Sequence, residues 1–424
     1  MRLPSRPTLL FAVLLLAGCA TPRHDPATPH WLAAWGSAQL AQGGPAPDGT
    51  PRVWQAPLAD VSLRQVVRTT VAGDAVRVRI SNLFGRQPLQ LGAASVALVQ
   101  PGGEAGTPRL HGGSLQTLRF NGSRTLTLAP GAEVWSDPLP LAVPRGAELA
   151  VQMHIVQSPA QATVHPGSRI RSWAAPGNRV DAADWPDGAA REGWWHLAAV
   201  DVQTRRTQPV LVTLGDSITD GYGVAPGSYQ RWTDLLAGRL AAQGREAAVV
   251  NTGIGGNRLL QDGLGPSVLT RFERDALARS GATHIVLLVG VNDLGTSHRQ
   301  RTTTPESRAA LLADMKAGFS TLQQQARARG VCLFVGTVMP YGGSGYYQPQ
   351  PENEADRQAL NAWMRRDAGF DALVDFDALA RDPARPTHLR PELDNDGLHP
   401  SMAGYQAMAD AFPVALLDRR CPAR

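Results

Sequence analysis

Residues Pro209–Asp220 read PVLVTLGDSITD, an apolar run (Val210, Leu211, Val212, Leu214) that stops at Gly215-Asp216-Ser217 and passes into a polar segment. A short continuous apolar run closed by glycine predicts a strand buried on both faces, as in a parallel sheet. Ser217 then sits just past the carboxyl end of that strand, where open α/β sheets place their ligands. The tripeptide is also ordinary turn chemistry, because aspartate and serine bond readily to nearby backbone. A nucleophile is told from a turn by its company: a base, an acid to orient it, and donors for an oxyanion.

That company is looked for downstream. Strand-like runs at Ala247–Asn251, His284–Val289 and Val331–Val338, with a weaker one at Leu373–Phe376, alternate with helix-like windows. The windows are Tyr229–Ala242, Pro266–Arg279, Pro305–Arg329, Glu352–Asp367 and Ala403–Leu417. Thr304-Pro305 suits an N-cap and first turn, and Gly244, Gly281 and Gly330 suit helix ends. Such alternation predicts a parallel sheet with right-handed crossovers. Three more polar segments fall where strands end: NTGIGGN (Asn251–Asn257), GVND (Gly290–Asp293) and DGLH (Asp396–His399). A serine, a histidine, an aspartate and several hydrogen-bond donors thus converge on one edge, which is the inventory acyl transfer needs. Asp396 and His399, three residues apart on one turn, can set the carboxylate beside Nδ1 while Nε2 faces a nucleophile from another loop.

Each piece also has a plain reading, as a turn or as a cap on the last helix. Two rival chemistries lack their motifs. A dinucleotide loop starting at Gly253 needs glycine where Arg258 stands, and the G-x-S-x-G elbow of α/β-hydrolases is absent. The histidines show no H-E-x-x-H or Cys/His ligand spacing, so no metal and no cofactor is expected.

Together the four segments resemble the blocks of the SGNH (GDSL-type) hydrolases, in order and over about Val210–Leu417. The resemblance implies a flavodoxin-like three-layer α/β/α fold and a serine esterase activity. It assigns Ser217 as nucleophile, His399 as base and Asp396 as its orienting acid. The oxyanion donors it implies are the Ser217 and Gly256 backbone N–H groups and the Asn292 side chain. NRLLQDGLGPSVLTRFERDAL, ISNLFGRQPLQLG and HPGSRIRSWAAPGN further resemble a branch with an N-terminal β domain that includes xylan-associated acyl and acetyl esterases. That likeness suggests a small acyl, chiefly acetyl, ester of a plant polysaccharide or oligosaccharide as substrate. Acyl transfer to a glycan alcohol by the same triad, a general arylesterase or lipase-like esterase, and a non-enzymatic glycan-binding surface protein remain alternatives.

Upstream, from residue 30 to 205, the pattern is short alternating runs broken by Gly, Pro, Asn and Asp. Ser62–Val71, Ala75–Ser81, Ser95–Val99, Ser114–Phe120, Thr125–Leu128, Glu148–Val156 and Trp195–Val202 read as half-buried strands. Strands at this spacing predict an antiparallel β-sandwich of jelly-roll type, followed by a catalytic domain over 206–424. The link between the two is only a few residues, so the halves should pack on one another. The segment His165–Asn178 carries Arg169, Arg171, Trp173 and Asn178 and is a candidate rim for the substrate's alcohol part. Tyr222, Tyr341, Tyr346 and Tyr347 are expected around the mouth, the last three in a Gly/Pro-rich loop that walls the pocket or moves as a lid, with rings able to stack on a sugar. Aromatic packing would produce the same composition.

At the N-terminus, Arg2 and Arg6 precede the apolar run Leu9–Leu16 and then Ala17-Gly18-Cys19. Basic residues, a short apolar stretch and small residues make an export signal over 1–18, too short to span a bilayer. The LAGC ending resembles a bacterial lipobox, which implies a lipid on Cys19, a tether over 19–29, and a periplasmic or outer-membrane location; an ordinary cleaved signal is the other reading. Cys332 and Cys421 can pair in an oxidising compartment or stay as separate thiols. The formal charge of +5 is carried almost wholly by arginine without a basic cluster. It argues for solubility and against nucleic acid as partner. The membrane enters only through the lipid anchor, and nothing in the sequence decides the oligomeric state.

Overall fold

The structure, a computed structural model, describes residues 28–43, 57–100, 108–186, 188–300 and 303–421. The export signal, Cys19 and nearly all of the tether lie outside the described residues.

Downstream of the linker, all five expected strands form one parallel sheet. Its order is Ala248–Gly253, Val210–Gly215, His284–Leu288, Cys332–Gly336, Ala372–Val374. In chain order that is 2-1-3-4-5, the flavodoxin-like winding, whose ligand crevice opens between strands one and three. Every residue of Val210–Gly215, His284–Leu288 and Cys332–Gly336 is buried. Helices on both faces produce this, which is why these strands read as continuous apolar runs. The helices include Trp232–Ala242, Pro305–Ala328, Pro351–Arg366 and Met402–Ala411. Thr304 caps the longest of them through Ser307, with Pro305 in its first turn. The expected last helix ends early, at Ala411, because Pro413 cannot continue it and only a 3₁₀ turn follows.

The upstream half is antiparallel. Five strands form one sheet around Gly73–Ser81 and Leu197–Thr204, and seven form another around Ala59–Arg68, Glu148–Gln157 and Leu89–Leu98, with a small three-stranded sheet beside them. The first strand, His30–Gly36, pairs with the last, Leu197–Thr204, so the chain returns to where it began before entering the catalytic half. In Gly73–Ser81 the residues Val76, Val78 and Ile80 are buried, while Arg77 and Arg79 between them are half-buried. This alternation is what a half-covered strand shows.

One hydrophobic core crosses the boundary: Trp35, Val76, Met153 and Val202 belong to the same cluster as Val210, Val250 and Ile285. Polar contacts add to it. Ser280 accepts from the Ala33 N–H (2.9 Å) and its hydroxyl donates to Asp201 (2.6 Å). Buried Arg279 donates to the Ser37 and Ala198 carbonyls at 2.8 and 3.1 Å. Thr70 bonds both ways to Val249, the N–H at 3.0 Å and the carbonyl at 3.2 Å. It thereby covers the outer edge of the parallel sheet. At the opposite, amino-terminal end of the strands a disulfide joins Cys332 to Cys421.

Candidate active site

The strand Val210–Gly215 turns into a single helical turn, Ser217–Asp220, capped by Asp216, whose carboxylate accepts from the Ile218 N–H at 3.0 Å. The turn is tight because nothing larger than hydrogen fits at Gly215: a Cβ there would meet the Leu288 carbonyl at 2.4 Å. Ser217 is therefore presented at the crevice between strands one and three, 7% exposed. Burial, with the Asp293 charge adding, pushes the Asp216 carboxyl up to about 7.

His399 reaches Ser217 from the far end of the chain. Its Nε2 lies 2.8 Å from Ser217 Oγ, and its Nδ1 lies 2.8 Å from Asp396 Oδ2. The other Asp396 oxygen accepts the His399 and Leu398 N–H groups at 2.8 and 3.1 Å. A carboxylate only accepts, so Nδ1 carries the proton, Nε2 is bare, and the serine hydroxyl donates to it. Burial would raise the Asp396 carboxyl, but its bonds from His399 hold it below the usual range. Burial lowers the His399 imidazole against the opposing pull of Asp396, and Arg169 adds to the lowering.

The next two strands bring the other groups. Gly256 has φ +71°, in the left-handed region, and Asn257 closes the loop by donating its N–H to the Ile254 carbonyl. The Asn257 side chain accepts from Arg271 at 2.8 and 3.0 Å. Arg271 is fully buried and also donates to the Thr252 and Gly215 carbonyls, at 2.7 and 3.0 Å. One guanidinium thus ties together the ends of strands one and two and the loop after strand two. Its partner is Asp275 at 3.3 Å, although burial still lowers its pKa to about 10. Asp293 accepts the N–H groups of Leu259 and Leu260 at 2.8 and 3.0 Å, holding the far side of the same loop.

The family model for GDSL-like lipase/acylhydrolases matches residues 213–407. This segment belongs to that family of ester hydrolases. No curated protein matches the chain. Solved structures similar to it include a GDSL-like lipase from Bacteroides thetaiotaomicron VPI-5482 (19% identity, TM-score 0.37, 50% of this chain and 91% of that one). An acetylxylan esterase from Geobacillus stearothermophilus is 21% identical, with TM-score 0.36 over 49% of this chain and 94% of its own. The acetyl xylan esterase AlAXEase is 22% identical, with TM-score 0.37 over 48% and 96%.

In the GDSL domain, GVND opens a helix, Val291–Gln300, where the sequence left a turn open as the plain reading. Asn292 sits in its first turn, 3% exposed. Its Nδ2 donates to the Asn257 carbonyl at 2.8 Å, and its Oδ1 accepts from the Tyr347 hydroxyl at 2.6 Å. Only an N–H can face the Asn257 carbonyl, so the amide has one orientation and Tyr347 fixes it from the other side.

The rim differs from the sequence reading in part. Tyr341 is 1% exposed and Trp173 8%, both buried among apolar side chains, so neither offers a free ring face as expected of them. Trp173 lies mid-strand in Arg171–Pro176, between two neighbouring strands. Arg171, at the start of that strand, is exposed opposite Glu192. Tyr346 is 62% exposed, edge-on to Tyr347, with the Arg299 guanidinium 4.0 Å from its ring centre. These two tyrosines and Arg299 line part of an open cavity of about 860 Å³. Tyr222, 44% exposed, stacks on the His399 imidazole with 4.0 Å between ring centres. Leu264, 71% exposed, lies against Gly256, where a Cβ would meet its Cδ1 at 2.6 Å.

Proposed function

We propose that the protein is a serine esterase that removes small acyl groups, acetyl foremost, from acylated carbohydrate, with Ser217, His399 and Asp396 as its catalytic residues. The observation that carries the reading is the continuous hydrogen-bonded chain from Asp396 through His399 to Ser217 at the crevice. Ser217 Oγ attacks the ester carbonyl and its proton passes to His399 Nε2, which Asp396 holds in the required tautomer. The oxyanion so formed is met by the Ser217 and Gly256 N–H groups and the Asn292 amide. Collapse expels the alcohol, protonated by His399, and leaves an acyl-serine. Water, giving its proton to the same imidazole, hydrolyses that ester and restores the serine. Leu264 beside Gly256 supports a short apolar wall for a small acyl group. The exposed edge of Tyr222 beside His399 supports a carbohydrate as the alcohol, because a sugar can pack against it on the leaving-group side.

Ser217→Ala should lower turnover of p-nitrophenyl acetate by about 10⁴-fold or more while leaving the fold intact. A fluorophosphonate probe should label the native protein at Ser217. Retained turnover in the folded variant would remove Ser217 from this role. The proposal extends to location: export, loss of residues 1–18, and a lipid on Cys19. Cys19→Ser should move the protein out of the membrane fraction with its catalysis unaltered, and continued pelleting with membranes would contradict the anchor.

A further inference from the structure

Arg169 belongs to the β half, yet it stands at the mouth of the crevice. Its guanidinium carbon is 5.8 Å from the centre of the Tyr222 ring, and Tyr222 in turn stacks on His399. The charge is felt by His399 and by Asp220 at the end of the Ser217 turn. Its backbone has φ +51°, in the left-handed region that a side-chain-bearing residue adopts only under strain. Neighbours hold it there. Its carbonyl accepts the Gly227 N–H at 2.8 Å, and the buried Ser168 hydroxyl before it donates to the Ile170 carbonyl at 2.6 Å. The Ser168 carbonyl accepts from Arg231.

Despite this fixed position the cation is unmatched. Among the described residues Arg169 makes no salt bridge and no side-chain hydrogen bond, and its Nε is buried without a partner. The nearby acid Asp220 is engaged elsewhere, by His165 at 2.9 Å. A part-buried guanidinium left without an acceptor is costly, and its planar fork of donors fits a carboxylate. Its location fixes which part of a substrate it meets. On the esterase reading Gly256 and Asn292 serve the acyl oxygen, whereas His399 Nε2 hands its proton to the leaving alcohol; Tyr222 stacks on His399, and Arg169 stands over Tyr222.

We propose that Arg169 binds a carboxylate on the alcohol part of the ester, so that the preferred substrate is an acylated acidic sugar, such as an O-acetylated uronic acid glycoside. This rests on the esterase reading above.

The test compares kcat/KM for an O-acetylated methyl glucuronide with that for the matching acetylated methyl glucoside, in wild type, Arg169→Gln and Arg169→Lys. A charge-assisted pair predicts a preference for the acidic sugar of roughly 10- to 100-fold in wild type. The preference should weaken with added salt, fall to near unity in Arg169→Gln, and survive in part in Arg169→Lys. Free glucuronate should also inhibit wild-type hydrolysis of p-nitrophenyl acetate better than glucose does, which needs no folded variant. Equal rates on both sugars in wild type, equal inhibition by both, or a preference kept in Arg169→Gln would overturn the proposal. Absence of any p-nitrophenyl acetate turnover would instead strike the esterase reading.

Discussion

Burial and the Arg169 cation both disfavour protonation of the His399 imidazole, and Asp396 opposes them without cancelling them. A general base works only when neutral. Its folded pKa is lowered from 6.5, so kcat/KM should rise with pH through a point below 6.5 and be level by neutral pH. A pH–rate profile of p-nitrophenyl acetate hydrolysis with its acid limb centred above 6.5 would contradict this balance of fields. At this scale the sequence was legible where partners are close. Asp396 and His399 share one turn, so their spacing alone suggests the bond they make. Arg271 was not legible, because within SVLTRFERDAL it looks like any surface arginine of an amphipathic helix. Apart from Asp275, its partners lie 14, 19 and 56 residues away, and only folding brings them together.

The elements carrying these residues are short turns with little freedom. Gly397 lies between Asp396 and His399 with φ +79°, and a Cβ there would sit 2.1 Å from the Gly343 carbonyl, in the segment carrying Tyr341, Tyr346 and Tyr347. Gly397→Ala must move one turn or the other, and either shift moves His399 off Ser217 or loosens the loop holding Tyr347. We expect kcat to fall at least tenfold and the melting temperature by a few degrees, with unchanged far-ultraviolet circular dichroism. Native kinetics in that variant would show that the turn absorbs a methyl group freely. The five parallel strands were readable because a covered sheet demands unbroken apolar runs. Val291–Gln300 was not, since VNDLGTSHRQ combines weak helix formers with only two apolar side chains, Val291 and Leu294. In the β half, strands of two or three residues such as Trp194–Trp195 and Glu133–Trp135 are too brief to show a period.

For the whole molecule, the disulfide closes a span of 89 residues from the fourth strand to the tail. In the chain-entropy account a loop of this length stabilises by about 4–5 kcal/mol, with measured values ranging down to zero. The bridge lies at the amino ends of the strands, away from the carboxyl-end crevice. Replacing both cysteines by serine should therefore lower the denaturant midpoint while kcat and KM stay unchanged. A loss of activity at temperatures where the variant is folded would mean that the two ends of the sheet communicate.

Thr70, Ser280 and Arg279 stitch the β half to the catalytic half, and this governs how the polypeptide can be divided. The family match begins at residue 213, inside the strand Val210–Gly215. A chain cut there loses the first half of the strand that carries Ser217 at its end. It also uncovers the Val249 edge and leaves the Arg279 guanidinium without the two carbonyls it serves. Open strand edges recruit other strands. The β half is thus a fixed wall of the hydrolase, not a detachable cassette, and grafting either half onto a foreign partner means rebuilding the seam between them.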